Sequence, residues 1–147
     1  MADLAHAVRL AAADHYLAVF AVARPDGTVH ASVVNAGIIE DPIDGHQGVG
    51  AVVYGASRKL SLLRRSGTAG VVFKSGFEWV AVAGPVRLIG PDDGTEFGLD
   101  VPAVVRSVFR AAGGTHDDWD EFDRIMAEER RCAVFVGAAK ITTNPLR

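Results

Sequence analysis

The chain has a single cysteine, Cys132, among its 147 residues. One thiol makes no internal disulfide, so no oxidising compartment is required. Arg130 and Arg131 precede it and Ala133-Val134-Phe135-Val136 follow, which reads as the start of a strand. A buried, inert thiol is expected there, with an arginine-activated thiolate as the other reading. No apolar run approaches the ~20 residues of a membrane span, so no membrane partner is expected. The N-terminus lacks a basic region followed by an apolar core, since Asp3 and His6 interrupt it. No signal peptide is therefore expected, and a cytoplasmic protein is the default. The five histidines (His6, His15, His30, His46, His116) do not fall at metal-ligand spacings, so no metal is expected. No G-x-G-x-x-G follows a strand, and neither G-x-S-x-G nor a P-loop occurs.

What is present is an ordinary globular composition, 49% hydrophobic and 22% charged, of a length that fits one domain, residues 1–147. A net charge of −3 argues against a non-specific nucleic-acid binder. Asp3 can cap a helix to about Ala13, with Leu4, Val8 and Ala11 at helical spacing. Tyr16 to Arg24 and Val29 to Ile39 are β-rich and flank the turn Pro25-Asp26-Gly27, which predicts a hairpin. Val49 to Tyr54 reads as a third strand, and Ser57 then opens a short helix that stops near Gly67. Thr68 to Lys74 and Glu78 to Ile89 are strands around Ser75-Gly76. The Gly84-Pro85 pair inside the latter predicts a bulge or a barrel corner. Val101 to Ala112 is helical by its apolar spacing. After Gly113-Gly114, Thr115 is expected to cap an acidic helix reaching about Arg131. A last strand runs from Cys132 toward Thr142. Six strands with hairpin connections predict a mainly β fold, a mostly antiparallel barrel with peripheral helices.

The informative motif is Ser57-Arg58-Lys59 at a helix start. Cations there oppose the helix dipole by about 0.3–1 kcal/mol each. Two readings stand. One is a serine cap beside two solvated charges. The other is an anion site, where free N–H groups, the Ser57 hydroxyl, the Arg58 fork and the Lys59 ammonium converge on a phosphate.

The stretch VVYGASRKLSLLRRSGTAGVVF resembles the phosphate-binding segment of the pyridoxamine 5′-phosphate oxidase superfamily. The strand EWVAVAGPVRLIG is similar to that superfamily's next strand. The segment GGTHDDWDEFDRIMAEERRCAVFV resembles its flavin/deazaflavin oxidoreductases of subgroup B, with the mycobacterial F420-binding proteins nearest. The likeness runs from Leu4 to Ile141.

The resemblance implies a six-stranded antiparallel split β-barrel of the FMN-binding type, acting as a homodimer with its pocket at the dimer interface. It implies coenzyme F420, or alternatively FMN, as cofactor, and hydride transfer to an unsaturated small molecule. A non-catalytic cofactor carrier is a further alternative. By the resemblance Lys59 meets the cofactor phosphate, with Ser57 and Arg58 beside it. Ser32, Val34 and Asn35 run along the ring. Leu62, Arg64 and Arg65 fall where basic residues reach an acidic cofactor tail. Trp79 falls at an aromatic position, with core packing or dimer contact as its other reading. No catalytic side chain is assigned, because solvent can supply the proton. The oxidases proper carry a second-strand arginine, whereas this chain reads His30-Ala31-Ser32-Val33-Val34 there. They also have a basic C-terminal segment, whereas this chain reads Asn144-Pro145-Leu146-Arg147, so pyridoxamine phosphate oxidase activity is not expected. The loop from Glu40 to Gly48 is expected to wall the substrate side.

Overall fold

The computed structural model describes residues 3–144, so Pro145, Leu146 and Arg147 lie outside the described residues. In chain order the elements are helix α1 (Leu4–Ala13) and strands β1 (Leu17–Ala23), β2 (Val29–Asn35), β3 (Gly37–Glu40) and β4 (Gln47–Val53). Helix α2 (Arg58–Ser66), β5 (Thr68–Ser75), β6 (Glu78–Ile89) and a 3-10 turn (Thr95–Phe97) follow. Helices α3 (Val101–Ala111) and α4 (Trp119–Glu128) precede β7 (Cys132–Gly137) and β8 (Lys140–Thr143).

The sheet is antiparallel throughout, in the order β2-β1-β5-β6-β7-β4-β3, with β8 also on β6. It has eight strands where six were expected, because two of the expected strands are each broken once. The run Val29 to Ile39 breaks at Ala36, which is buried and donates its N–H to the Tyr16 carbonyl at 2.8 Å. β2 stays with β1, while β3 crosses to β4. The last strand breaks opposite Gly84-Pro85. There Gly137, Ala138 and Ala139 stand against two residues of β6, so the ladder carries one extra residue. A Cβ on Gly84 would lie 2.0 Å from the Gly137 carbonyl oxygen, and Pro85 has no N–H for a ladder bond. β2 and β3, at the two ends of the path, are not paired with each other, so the sheet is open.

Two apolar clusters fill the fold. Phe20, Phe73, Val71 and Val82 of the strands meet Leu10 of α1 and Leu60 and Leu63 of α2 on one face. On the other face, Phe135 and Ala133 meet Val105 and Val108 of α3 and Phe122 of α4. β7 is therefore covered on both sides, which explains why it reads as an unbroken apolar run.

Local signals set the helix ends. Asp3 caps α1 by accepting from the His6 N–H at 2.8 Å. Ala7, Leu10 and Ala11 form the buried face of α1, whereas Val8, expected on that face, is exposed. It stands one position, about 100° of rotation, beyond Ala7. Ser57 caps α2 through the Leu60 N–H, and Gly67 ends it at φ 73°, where a side chain would be strained. α4 starts later than expected. Its cap is Asp118, whose carboxylate accepts from the Glu121 N–H at 3.1 Å, and not Thr115. It also stops earlier, at Glu128, and Arg130 adopts φ 50°.

Candidate functional site

The C-terminal ends of β2 and β4 come together with the starts of α2 and β7 and the end of α3. Between them lies a pocket of about 530 Å³. Val34, Val52, Val53, Phe109 and Met126 give it apolar walls. Ser57, Lys59, Asn35, His15, Tyr54 and Arg131 supply the polar groups. Its volume is that of a small-molecule site, and its make-up is apolar walls with a few polar groups.

Lys59 dominates the electrostatics. It is half-buried in the first turn of α2, with its Nζ 6.0 Å from the centroid of the Phe20 ring. Among the described residues it has no ion-pair partner and no side-chain hydrogen bond. Burial holds its ammonium below the usual lysine range. A desolvated cation at a helix N-terminus, where the dipole also repels it, is stabilised by an anion. Ser57 stands beside it. Its hydroxyl caps Leu60 at 3.2 Å and keeps lone-pair and donor capacity for a ligand.

The backbone supports this corner from the other side. His15 and Tyr16 are consecutive non-glycine residues at φ 56° and φ 59°. The Asn35 side-chain amide donates to the His15 carbonyl at 3.1 Å, and Ala36 N–H holds the Tyr16 carbonyl. Gly113 closes against Tyr16 so tightly that a Cβ would sit 2.3 Å from the ring. Strained residues fixed by several contacts are characteristic of ligand sites.

Of the residues expected at the site, Val34, Asn35, Ser57 and Lys59 line the pocket. Ser32 lies behind them, paired with Phe20, the ring that Lys59 overlies. Its hydroxyl is buried and has no hydrogen-bond partner among the described residues, as is also true of Nδ1 of His30 on the same face of β2. Arg58 and Arg65 are exposed and outside the lining. Leu62 is buried in the core. Arg64 is turned to Asp93, away from the lining. Trp79 is on β6 outside the lining, where its N–H donates to Asn144 and its carbonyl accepts from Thr143. The loop after β3 does not wall this pocket. Asp41 ties it to Arg87 of β6, beside a separate depression.

Tyr54, Arg131 and His15 are the polar lining residues that sequence reading missed. Arg131 arrives because β4 and β7 pair with Val53 opposite Cys132, which sets the end of one strand beside the start of the other. Only that register, invisible in the sequence, brings residues 77 positions apart to one wall. Among the described residues no group of three or more His, Cys, Asp or Glu is placed to hold a metal. No helix among them is long and apolar enough to cross a membrane.

This architecture is a split β-barrel, a fold that solved structures share. No protein-family model and no curated protein sequence matches the chain, whereas solved structures do. A conserved hypothetical protein of Mycobacterium tuberculosis superposes with a TM-score of 0.66 at 18% identity, over 97% of this chain and 84% of that one. A pyridoxamine 5′-phosphate oxidase-related, FMN-binding protein of Nostoc punctiforme gives a TM-score of 0.61 at 15% identity, over 95% and 80%. An F420 reductase gives 0.59 at 13% identity, over 88% and 91%.

Proposed function

We propose that the protein is an F420-dependent reductase that transfers a hydride to an unsaturated small-molecule acceptor, working as a homodimer. The observation that carries this reading is Lys59, a half-buried cation without an ion-pair partner among the described residues, set beside Ser57 in an apolar-walled pocket. The residues fit a flat ring with an anionic tail. Val34, Val52 and Val53 offer the apolar surface, and Lys59 with Ser57 would hold the phosphate. A bound deazaflavin or flavin supplies the hydride chemistry. The chain's own contribution is to anchor, orient and exclude water.

FMN is the second reading, favoured by the FMN-binding neighbour of the same fold. Against it, β2 offers no arginine to share a terminal phosphate with Lys59, since its residues are VHASVVN. The visible spectrum and titrations of the purified protein separate the two. Bound FMN absorbs near ~450 nm and deazaflavin nearer ~420 nm. Tighter FMN binding, with turnover by reduced FMN and none by reduced F420, would reverse the ranking. Tight binding without turnover of any acceptor would favour a carrier.

The dimer is supported by the outward face of the β1–β2 hairpin. Leu17, Val19, Val29 and Val33 expose 39%, 40%, 57% and 64% of their surface there, with Ala21 and Ala31 between them. Val33 also lines the pocket, so a partner on this face would border the ligand. An obligate interface buries more than about 2,000 Å². Light scattering at micromolar concentration should give twice the chain mass, and a monomer would overturn the dimer.

A further inference from the structure

We propose that Arg131 is a second anion-binding residue of the pocket, one that selects a ligand carrying negative charge beyond the phosphate held at Lys59. The inference rests on the cofactor reading above and deepens it.

The lining contains Lys59 and Arg131 and no Asp or Glu, in a chain whose net charge is −3. Arg131 is paired with Glu129 just outside the lining and Lys59 has no partner among the described residues, so the lining itself is positive against the overall balance. The two cations reach it from different elements, Lys59 from the start of α2 and Arg131 from the residue before β7.

Arg131 is also held in place. Its guanidinium carbon lies over the Tyr54 ring, 5.3 Å from the centroid. Its Nε donates to Glu129 at 3.0 Å. Among the described residues its two Nη groups have no hydrogen-bond partner. A planar fork set over an aromatic ring and bonded through Nε keeps its Nη donors for a ligand. The backbone just before it is constrained. Arg130 sits at φ 50°, a left-handed conformation that is strained for a non-glycine residue. Gly55 packs beneath it, where a Cβ would stand 2.5 Å from the Arg130 carbonyl oxygen. A simple surface pair with Glu129 would need neither the Tyr54 ring nor the left-handed turn at Arg130.

FMN offers one phosphate, which would meet Lys59 and Ser57 and leave nothing anionic for Arg131. A deazaflavin with a phosphodiester and a carboxylate-bearing tail offers a second negative group. Arg131 therefore discriminates in favour of the longer anion.

The test is fluorescence titration of F420 and of FMN into wild-type protein, Arg131→Gln and Arg131→Lys, with thermal unfolding of each. Arg131→Gln should bind F420 at least tenfold more weakly, bind FMN within twofold of wild type, and unfold near the wild-type temperature. Arg131→Lys should recover part of the F420 affinity, because the charge returns without the fork. Unchanged F420 affinity in Arg131→Gln would overturn the inference alone. So would equal losses for both cofactors, which mark a structural role. Binding of FMN but not F420 by wild type would overturn it while keeping a flavin reading. Binding of neither would overturn the proposed function as well.

Discussion

The Arg64 guanidinium lies edge-on to the Asp93 carboxylate, Nε to Oδ1 at 2.9 Å and Nη2 to Oδ2 at 2.7 Å. The pair fastens the last turn of α2 to the segment after β6, so an arginine in the cofactor-tail stretch is engaged in holding the helix. Arg64→Ala should lower the unfolding temperature and leave Lys59-dependent affinity within about twofold. The pair is partly exposed on the arginine side, so a double-mutant cycle with Asp93→Asn should give a coupling of about 0.5–1 kcal/mol. A tenfold loss of F420 affinity in Arg64→Ala, without loss of stability, would return Arg64 to the ligand.

Lys59 should show a trade between stability and binding. Its charge is partly desolvated and unpaired in the ligand-free fold. Lys59→Met keeps an unbranched apolar side chain there and removes that charge. The ligand-free variant should unfold about 2 °C higher, a fraction of a kcal/mol or so for a domain of this size. Its cofactor affinity should fall by about 1.5–3 kcal/mol, the scale of a lost charge-assisted hydrogen bond. The sign is set by burial. The unfolded state binds the Lys59 proton more tightly, so the stability deficit shrinks as pH rises toward the lysine range. Calorimetry with and without cofactor checks both halves, and a destabilised apo variant would contradict the first.

Asp41 should make the fold acid-sensitive at one identifiable place. Burial raises its pKa. The Arg87 guanidinium and the N–H groups of Ile43 and Asp44 outweigh that and hold the carboxyl below the usual carboxylate range. A lowered folded value stabilises fully above the unfolded pKa of about 3.9 and is lost as pH falls through the folded value. Asp41→Asn should therefore unfold below wild type at pH 7, and the two should converge in strongly acidic buffer. A gap that stayed constant with pH would show that the amide acts through packing alone.

Cys132 should be chemically silent in the native state. Burial, with Asp93 adding to it, pushes the thiol up to about 12, so thiolate is scarce at neutral pH. A thiol-reactive dye should label it only after denaturation. Rapid labelling of native protein at pH 8 would overturn this assignment.

Local chemistry alone determined much of this protein. Asp3 and Ser57 cap their helices and Gly67 ends α2, because each acts within a few residues. Lys59 stood out for the same reason, as a cation set against a helix dipole. Other features depend on distant partners. Ala36 splits a strand that looks continuous, because two halves of the sheet claim its two sides. Thr115 was passed over for Asp118, since α4 must start where Trp119 and Phe122 can pack on Phe109. Arg64 and Arg65 looked alike in the sequence until Asp93 reached one of them. Arg131 read as a helix-ending charge until β7 was registered against β4. Helix caps and turns are short-range and leave their mark in the sequence. Strand register and ion-pair choice are settled only when the chain closes on itself, and they decide which charges face the pocket.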